Sequence, residues 1–135
     1  MEDRRTFLGL MAVLLPAGVA AVQTPASTAA TGPRELARHT LTGPLEGLDA
    51  ILLELKPVPG TGRDHRHTGP VLGYVVEGRV RFGVDHGPEQ IVPAGSTFFE
   101  PTGVVHSTFG SADQTPARVL AFMLVPKGTS GTVPA

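Results

Sequence analysis

The sequence predicts a single small all-β domain, either a sandwich or a closed barrel. The chain has 135 residues, a length that suits one domain. Its 17 glycines, 13 prolines and 5% aromatic content favour short strands and tight turns over long helices. Short apolar runs also follow one another at intervals of about ten residues, the spacing typical of sandwiches and barrels.

The first 30 residues differ from the rest of the chain. Arg4 and Arg5 precede an apolar stretch at residues 7–22, and small residues follow. This order predicts a cleaved signal peptide and a flexible leader over residues 1–30. The two arginines with Phe7 and Leu8 also resemble the bacterial twin-arginine export signal. We therefore expect a periplasmic or secreted protein, exported by the twin-arginine or Sec route, without stable membrane insertion after cleavage.

The predicted barrel domain covers residues 34–126. Its apolar runs lie at residues 50–55, 71–76, 79–84, 91–92, 97–99, 104–105 and 118–125. Turns are predicted at residues 77–78 and 86–88, where glycine or proline interrupts the runs. Within residues 79–82, arginine alternates with an apolar residue, which indicates a strand with one exposed face. Residues 127–135 are predicted to form a flexible tail.

Composition excludes several classes of function. The chain has no cysteine, so it can form neither a disulfide nor a thiolate metal site. Its net charge is -1 and no long run of one sign occurs. There is thus no electrostatic reason to expect a nucleic-acid partner.

Three of the five histidines are candidate metal ligands. His65 and His67 are separated by one residue, and residues i and i+2 of a strand point to the same face. His106 follows a Pro-Thr-Gly turn, from which another strand could bring a third imidazole to the same place. Spacing alone is weak support, because pairs of surface histidines are common. His39 and His86 lack comparable surroundings, and we expect both at the surface.

The residues around these histidines resemble the two motifs of the cupin family. The matching positions are Gly60, His65, His67 and Gly78 for the first motif, and Gly95, Pro101, Gly103 and His106 for the second. The resemblance covers about residues 48–125. It implies a double-stranded β-helix, or jelly-roll barrel, which in this family usually holds a divalent metal in its lumen. Cupins often form dimers, so a homodimer is an expected assembly.

The sequence departs from the family pattern at one ligand position. The first motif normally places a glutamate a few residues after the second histidine, and Val71 stands there. Gly110 stands where the second motif often has asparagine. Glu100 is a candidate replacement for the missing carboxylate, because it shares one strand face with Phe98. If that face points inward, Glu100 could bind the metal, hold a histidine ligand or act as a general base; with the opposite parity it would lie in solvent.

Three functions remain open at this point. A site of three imidazoles favours Fe, Zn, Ni or Cu over Mn and leaves coordination positions free. The protein could then be a mononuclear metal enzyme of oxygenase, isomerase or lyase type, acting on a small oxygen-bearing molecule. It could instead be a non-catalytic module that binds a small ligand or a metal, or a barrel in which the histidines only pack. The fold does not decide among these functions.

Overall fold

A computed structural model describes residues 32–135, so the predicted export signal and leader lie outside the described residues. Ten strands and one short 3₁₀ turn at Gly43–Leu45 make up this part of the chain. The strands are β1 (Arg34–Thr40), β2 (Leu48–Leu55), β3 (His65–His67), β4 (Val71–Glu77), β5 (Arg79–Val84), β6 (Gln90–Pro93), β7 (Thr97–Glu100), β8 (Val105–Ser111), β9 (Arg118–Pro126) and β10 (Thr132–Pro134). Within residues 32–135, no helix is long and apolar enough to cross a bilayer.

The strands form two five-stranded antiparallel sheets that face each other. The first has the order β1-β2-β9-β4-β7 and the second the order β10-β3-β8-β5-β6. Along the strands, apolar residues alternate with more exposed ones, so each sheet buries one of its faces. In β9, for example, the side chains of Val119, Ala121, Met123 and Val125 are buried, and the residues between them are less so. The prediction of an all-β double-stranded β-helix is confirmed.

The interior of the barrel contains two apolar clusters. One cluster comprises Val75, Val80, Phe82, Val92, Phe98, Ala117 and Val119. The other comprises Ile51, Leu53, Val71, Ala121, Met123 and Val125. Leu55 is partly buried and packs against both clusters. Polar side chains from β3, β7 and β8 also enter this interior.

The outer face of the first sheet exposes a row of apolar side chains. Leu72 on β4 pairs with Phe99 on β7 and with Phe122 on β9, and Phe122 pairs in turn with Leu52 on β2. We call these four residues the outer apolar row. Leu72, Phe99 and Phe122 each keep between 44% and 57% of their surface exposed. Tyr74 lies on the same side of β4 as Leu72, outside the lumen.

A buried aspartate ties the edge of the first sheet to the C-terminal segment. Asp49 is 1% exposed and accepts hydrogen bonds from Arg38 at 2.7 Å and from Thr40 and the Gly128 amide at 2.9 Å. The Gly128 amide and then the Arg38 guanidinium hold the pKa of this carboxyl below its ordinary value. These bonds anchor the chain just after β9.

The C-terminal segment differs from the predicted flexible tail. Thr132–Pro134 pairs with β3 in antiparallel register and forms the edge of the second sheet. The Thr68 amide also donates a hydrogen bond to the Gly131 carbonyl at 2.9 Å. Gly131 has φ 75°, and an added Cβ would lie 2.2 Å from the Val125 side chain. The turn into β10 therefore needs glycine, and it gives order to residues whose local sequence resembles a loop.

Candidate metal centre

Two neighbouring strands, β3 and β8, bring the three predicted histidines together. β3 contains only three residues, and it places His65 and His67 on one face. His65 pairs directly with His106 of the neighbouring β8. The ring centroid of His65 lies 4.8 Å from that of His67 and 4.9 Å from that of His106. One nitrogen from each ring can be chosen such that all three lie within 4.8 Å of one another, which allows one metal ion to contact them.

Hydrogen bonds orient His65 and His67 through their Nδ1 atoms. His65 Nδ1 lies 2.8 Å from the Arg63 carbonyl oxygen, which can only accept, so the proton is on Nδ1 and the lone pair is on Nε2. His67 Nδ1 lies 3.1 Å from the Thr132 hydroxyl. The two Nε2 atoms are 3.2 Å apart, close to the ~3.3 Å that tetrahedral Zn²⁺ bonds would give. Both rings thus direct Nε2 towards one point.

Glu100 lies beside this point and is fully buried. On β7 the side chains of Phe98 and Glu100 are buried, whereas Thr97 and Phe99 are exposed, so Glu100 faces the lumen. Its Oε2 atom lies 3.0 Å from His106 Nδ1 and 3.8 Å from His67 Nε2. Despite the short distance to His106, these groups are not aligned for a hydrogen bond. Within residues 32–135, both carboxylate oxygens and both His106 ring nitrogens have no hydrogen-bond partner.

These unpartnered atoms provide a test of whether a metal fits. A buried carboxylate without a donor is costly, and so is a buried imidazole with neither nitrogen bonded. Three imidazoles and a carboxylate are also ligands that Zn, Fe, Ni and Cu accept. A cation held by the three imidazoles would bind one His106 nitrogen and place a positive charge beside the Glu100 carboxylate, so the residues fit a metal ion.

The electrostatics of His67 favour the neutral ring that a metal ligand requires. Burial lowers the pKa of His67, and the neighbouring His65 and His106 lower it further. Glu100 acts in the opposite direction and raises this pKa, but burial is the larger effect. A neutral imidazole keeps the Nε2 lone pair free for a metal without prior loss of a proton.

The position of Glu100 explains how this chain manages with Val71 at the usual glutamate position. Val71 on β4 is paired directly with Glu100 on β7. Residues opposite each other in an antiparallel pair have Cβ atoms about 4.5–5.5 Å apart and project from the same face. The carboxylate therefore projects from the neighbouring strand into nearly the same region of the lumen.

The four side chains lie at the wall of a cavity of about 210 Å³. Its apolar wall consists of Leu53, Leu55, Val71, Phe98, Phe109, Ala121 and Met123, with Pro33 at the side. Thr132 of β10 supplies a further polar group beside the histidines. Gly73 makes room for Phe98, because a Cβ at residue 73 would lie 2.1 Å from the Phe98 ring.

The remaining polar candidates lie away from this centre. His39 and His86 are exposed, and His86 Nε2 lies 3.0 Å from Asp64 Oδ2. Arg66 is exposed and donates a hydrogen bond to the Gly103 carbonyl at 2.7 Å. Thr132 was missed by the sequence analysis, because no local pattern marks a threonine in a Gly-Ser-Thr segment as the partner of a distant histidine.

A family comparison agrees with this geometry. The family model described as "Cupin domain" matches residues 51–123, more than half of the chain. The chain belongs to the cupin family. No curated protein matches this cupin at a significant level.

Solved structures support the same fold. A double-stranded β-helix protein from Klebsiella pneumoniae has a TM-score of 0.56 at 16% identity, over 81% of this cupin and 87% of that chain. The DMSP lyase DddQ from Ruegeria pomeroyi has a TM-score of 0.52 at 20% identity, over 66% of this cupin and 43% of that chain. A structure of oxalate oxidase has a TM-score of 0.50 at 24% identity, over 66% of this cupin and 46% of that chain. This cupin thus spans less than half the length of either enzyme, and the likeness shows the fold alone.

Proposed function

We propose that this cupin binds one divalent metal ion through His65, His67, His106 and Glu100, and catalyses a reaction of a small oxygen-bearing molecule. The observation that carries the proposal is the buried, unpartnered state of Glu100 and His106 beside two converging Nε2 atoms. The metal is Zn, Fe, Ni or Cu in preference to Mn, because imidazole nitrogens dominate the ligand set. DMSP lyase and oxalate oxidase are enzymes with this fold, which is consistent with catalysis.

Different residues would have different roles in such a reaction. When bound, the metal supplies a Lewis acid or a redox centre next to the apolar wall. Arg63 and Thr132 hold the rings of His65 and His67 so that Nε2 faces the centre. Glu100 is the one carboxylate that lines the cavity among residues 32–135. Its oxygens can take a proton from a bound substrate, which suits an isomerase or lyase reaction.

Metal analysis tests the site. The metal content of purified protein should be close to one ion per chain, and a His65→Ala/His106→Ala variant should lose it. A His39→Ala/His86→Ala variant removes two exposed histidines and serves as the matched control. Equal metal content in the wild type and the His65/His106 variant would contradict the site and favour a barrel in which the histidines only pack.

Activity assays separate catalysis from binding. Iron-loaded protein should be screened by oxygen uptake, and zinc- and nickel-loaded protein by loss of substrate, with small diketones, catechols and hydroxy acids. Turnover that Glu100→Gln abolishes at a metal concentration that saturates the variant supports the proposed role of Glu100. Stoichiometric metal together with ligand binding but no turnover would favour the non-catalytic binding module.

We also propose export and self-association. Residues 1–30 provide the sequence basis for export to the periplasm or the medium, and N-terminal sequencing of the mature protein tests it. An intact Met1 on soluble cytoplasmic protein would contradict export. The outer apolar row supports a homodimer, because an isologous two-fold contact would cover the same row on both copies.

A further inference from the structure

We propose that the cavity selects a small ligand that carries one negative charge on its oxygen donors and a compact hydrocarbon remainder, and that it rejects dicarboxylates. The inference rests on the proposed metal site and names the substrate class for it. Three properties of the cavity carry it: its volume, the distribution of polar groups on its wall, and the charge that its ligands leave uncompensated.

The volume limits the ligand to a few non-hydrogen atoms. The cavity holds about 210 Å³. This is below the roughly 300–1,000 Å³ of cavities that hold drug-sized ligands. The part of a ligand that is enclosed is therefore about the size of a four-carbon acid.

The polar groups occupy one side of the cavity. His65, His67, His106, Glu100 and Thr132 lie together there, and the rest of the wall is aliphatic or aromatic. Among residues 32–135, no lysine or arginine lines the cavity. Arg66, which lies between the two histidine ligands in the sequence, is exposed and bonded to the Gly103 carbonyl. A second anionic group that stays inside the cavity would therefore meet apolar side chains.

The charge balance follows from the ligand set. A divalent metal with the Glu100 carboxylate and three neutral imidazoles carries a net charge of +1. A monoanionic ligand makes the cavity neutral, whereas a dianion leaves one negative charge in an apolar wall without a counter-ion. Burial of an unpaired charge is strongly unfavourable. A hydrocarbon remainder, by contrast, gains by burial against Leu53, Phe98 and Met123.

A matched pair of acids tests the inference. Isobutyrate and methylmalonate have nearly the same shape, and they differ in the exchange of one methyl group for a carboxylate. Zinc-loaded protein, with one ion per chain verified beforehand, is titrated with each acid by calorimetry. We expect isobutyrate to bind at least tenfold more tightly. Free Zn²⁺ shows the opposite order, because a dianion attracts it more strongly and can chelate it, so the result is diagnostic of the cavity.

Two variants test whether the charge of the cavity causes the preference for isobutyrate. Leu55 lies between the cavity and an adjoining groove beside Lys56 and Pro57, so Leu55→Arg adds a cation at the cavity wall that keeps access to solvent. This variant should reduce the preference for isobutyrate at least fivefold. Leu120→Arg places the same change on the outer face of β9, next to Glu54 in the sheet, and should leave the preference unchanged.

The outcomes separate the two proposals. Absence of stoichiometric zinc in the wild type contradicts the metal site, and this appears before any acid is added. If zinc binds and methylmalonate binds as tightly as isobutyrate, or neither acid binds, the substrate class is wrong while the metal site stands. A folded, zinc-loaded Leu55→Arg protein with the wild-type preference overturns the charge argument.

Discussion

Replacement of Glu100 by methionine should stabilise the metal-free protein, although most substitutions at buried positions destabilise the fold. Glu100 is 0% exposed and neither of its oxygens has a hydrogen-bond partner within the described chain. A buried polar group without a partner costs about 1–3 kcal/mol. Methionine has a similar length and adapts to irregular space. A domain of about 100 residues gains roughly 4–8 °C in Tm per kcal/mol, so the rise should be on the order of 10 °C.

Metal should offset most of this advantage. At a free metal concentration about 100-fold above Kd, binding stabilises the wild type by about 2.7 kcal/mol. If loss of the carboxylate weakens binding about 100-fold, the same metal concentration stabilises Glu100→Met by only about 0.4 kcal/mol. Thermal unfolding followed by circular dichroism, first with a chelator and then with excess Zn²⁺, measures both quantities on the same samples.

Glu54 provides the matched control. It is also buried, at 7% exposed, but its carboxylate accepts hydrogen bonds from Arg34 at 3.1 Å and Arg118 at 3.0 Å. Glu54→Met should therefore lower Tm with and without metal, and it should leave the shift caused by metal unchanged. A metal-free Glu100→Met protein that melts below the wild type would show that the Glu100 carboxylate is satisfied without a cation, and it would refute the reasoning.

Three further predictions concern other parts of the molecule. Thr132→Val should weaken Zn²⁺ binding about 10–100-fold because His67 loses the group that orients it, whereas Thr132→Ser should retain the affinity; competition with a chromogenic chelator measures both. Asp49 has a lowered pKa in the folded state, so its contribution to stability is present above its unfolded value of about 3.9 and is lost as pH falls through the folded value. Between pH 5 and pH 2, wild-type stability should therefore fall more steeply than that of Asp49→Asn in urea titrations; parallel pH profiles would contradict this role. If the outer apolar row forms a dimer contact, Phe99→Lys should shift the protein to monomer in sedimentation equilibrium, whereas Ile91→Lys at an exposed position of the other sheet should not.

The fold and the histidine cluster could be predicted from sequence because their signals are local or regularly spaced. The apolar run at residues 79–84 coincides with β5, and the run at 118–125 ends one residue before β9 does. The two residues of separation between His65 and His67 place both rings on one face of β3. Alternation alone also indicated that Phe98 and Glu100 share a face, but it could not determine which face is buried.

Features that depend on long-range register could not be predicted in the same way. The pairing of Val71 with Glu100 joins strands from distant parts of the sequence, and only the assembled sheet sets which residues are opposite. The same holds for β10. Its three residues have no strand pattern of their own, and they are ordered because β3 offers an open edge and Gly131 permits the turn.

Because the carboxylate is at Glu100 and not at residue 71, the charge and the volume of the site depend on different residues. In this cupin, the carboxylate that sets the charge of the site belongs to β7, and Val71 on β4 is left only as part of the cavity wall. The volume of the site can therefore change through residue 71 while its charge stays constant. Substitution by alanine or isoleucine would enlarge or reduce the chamber without removing a ligand, which makes β4 a convenient starting point for redesign of ligand size.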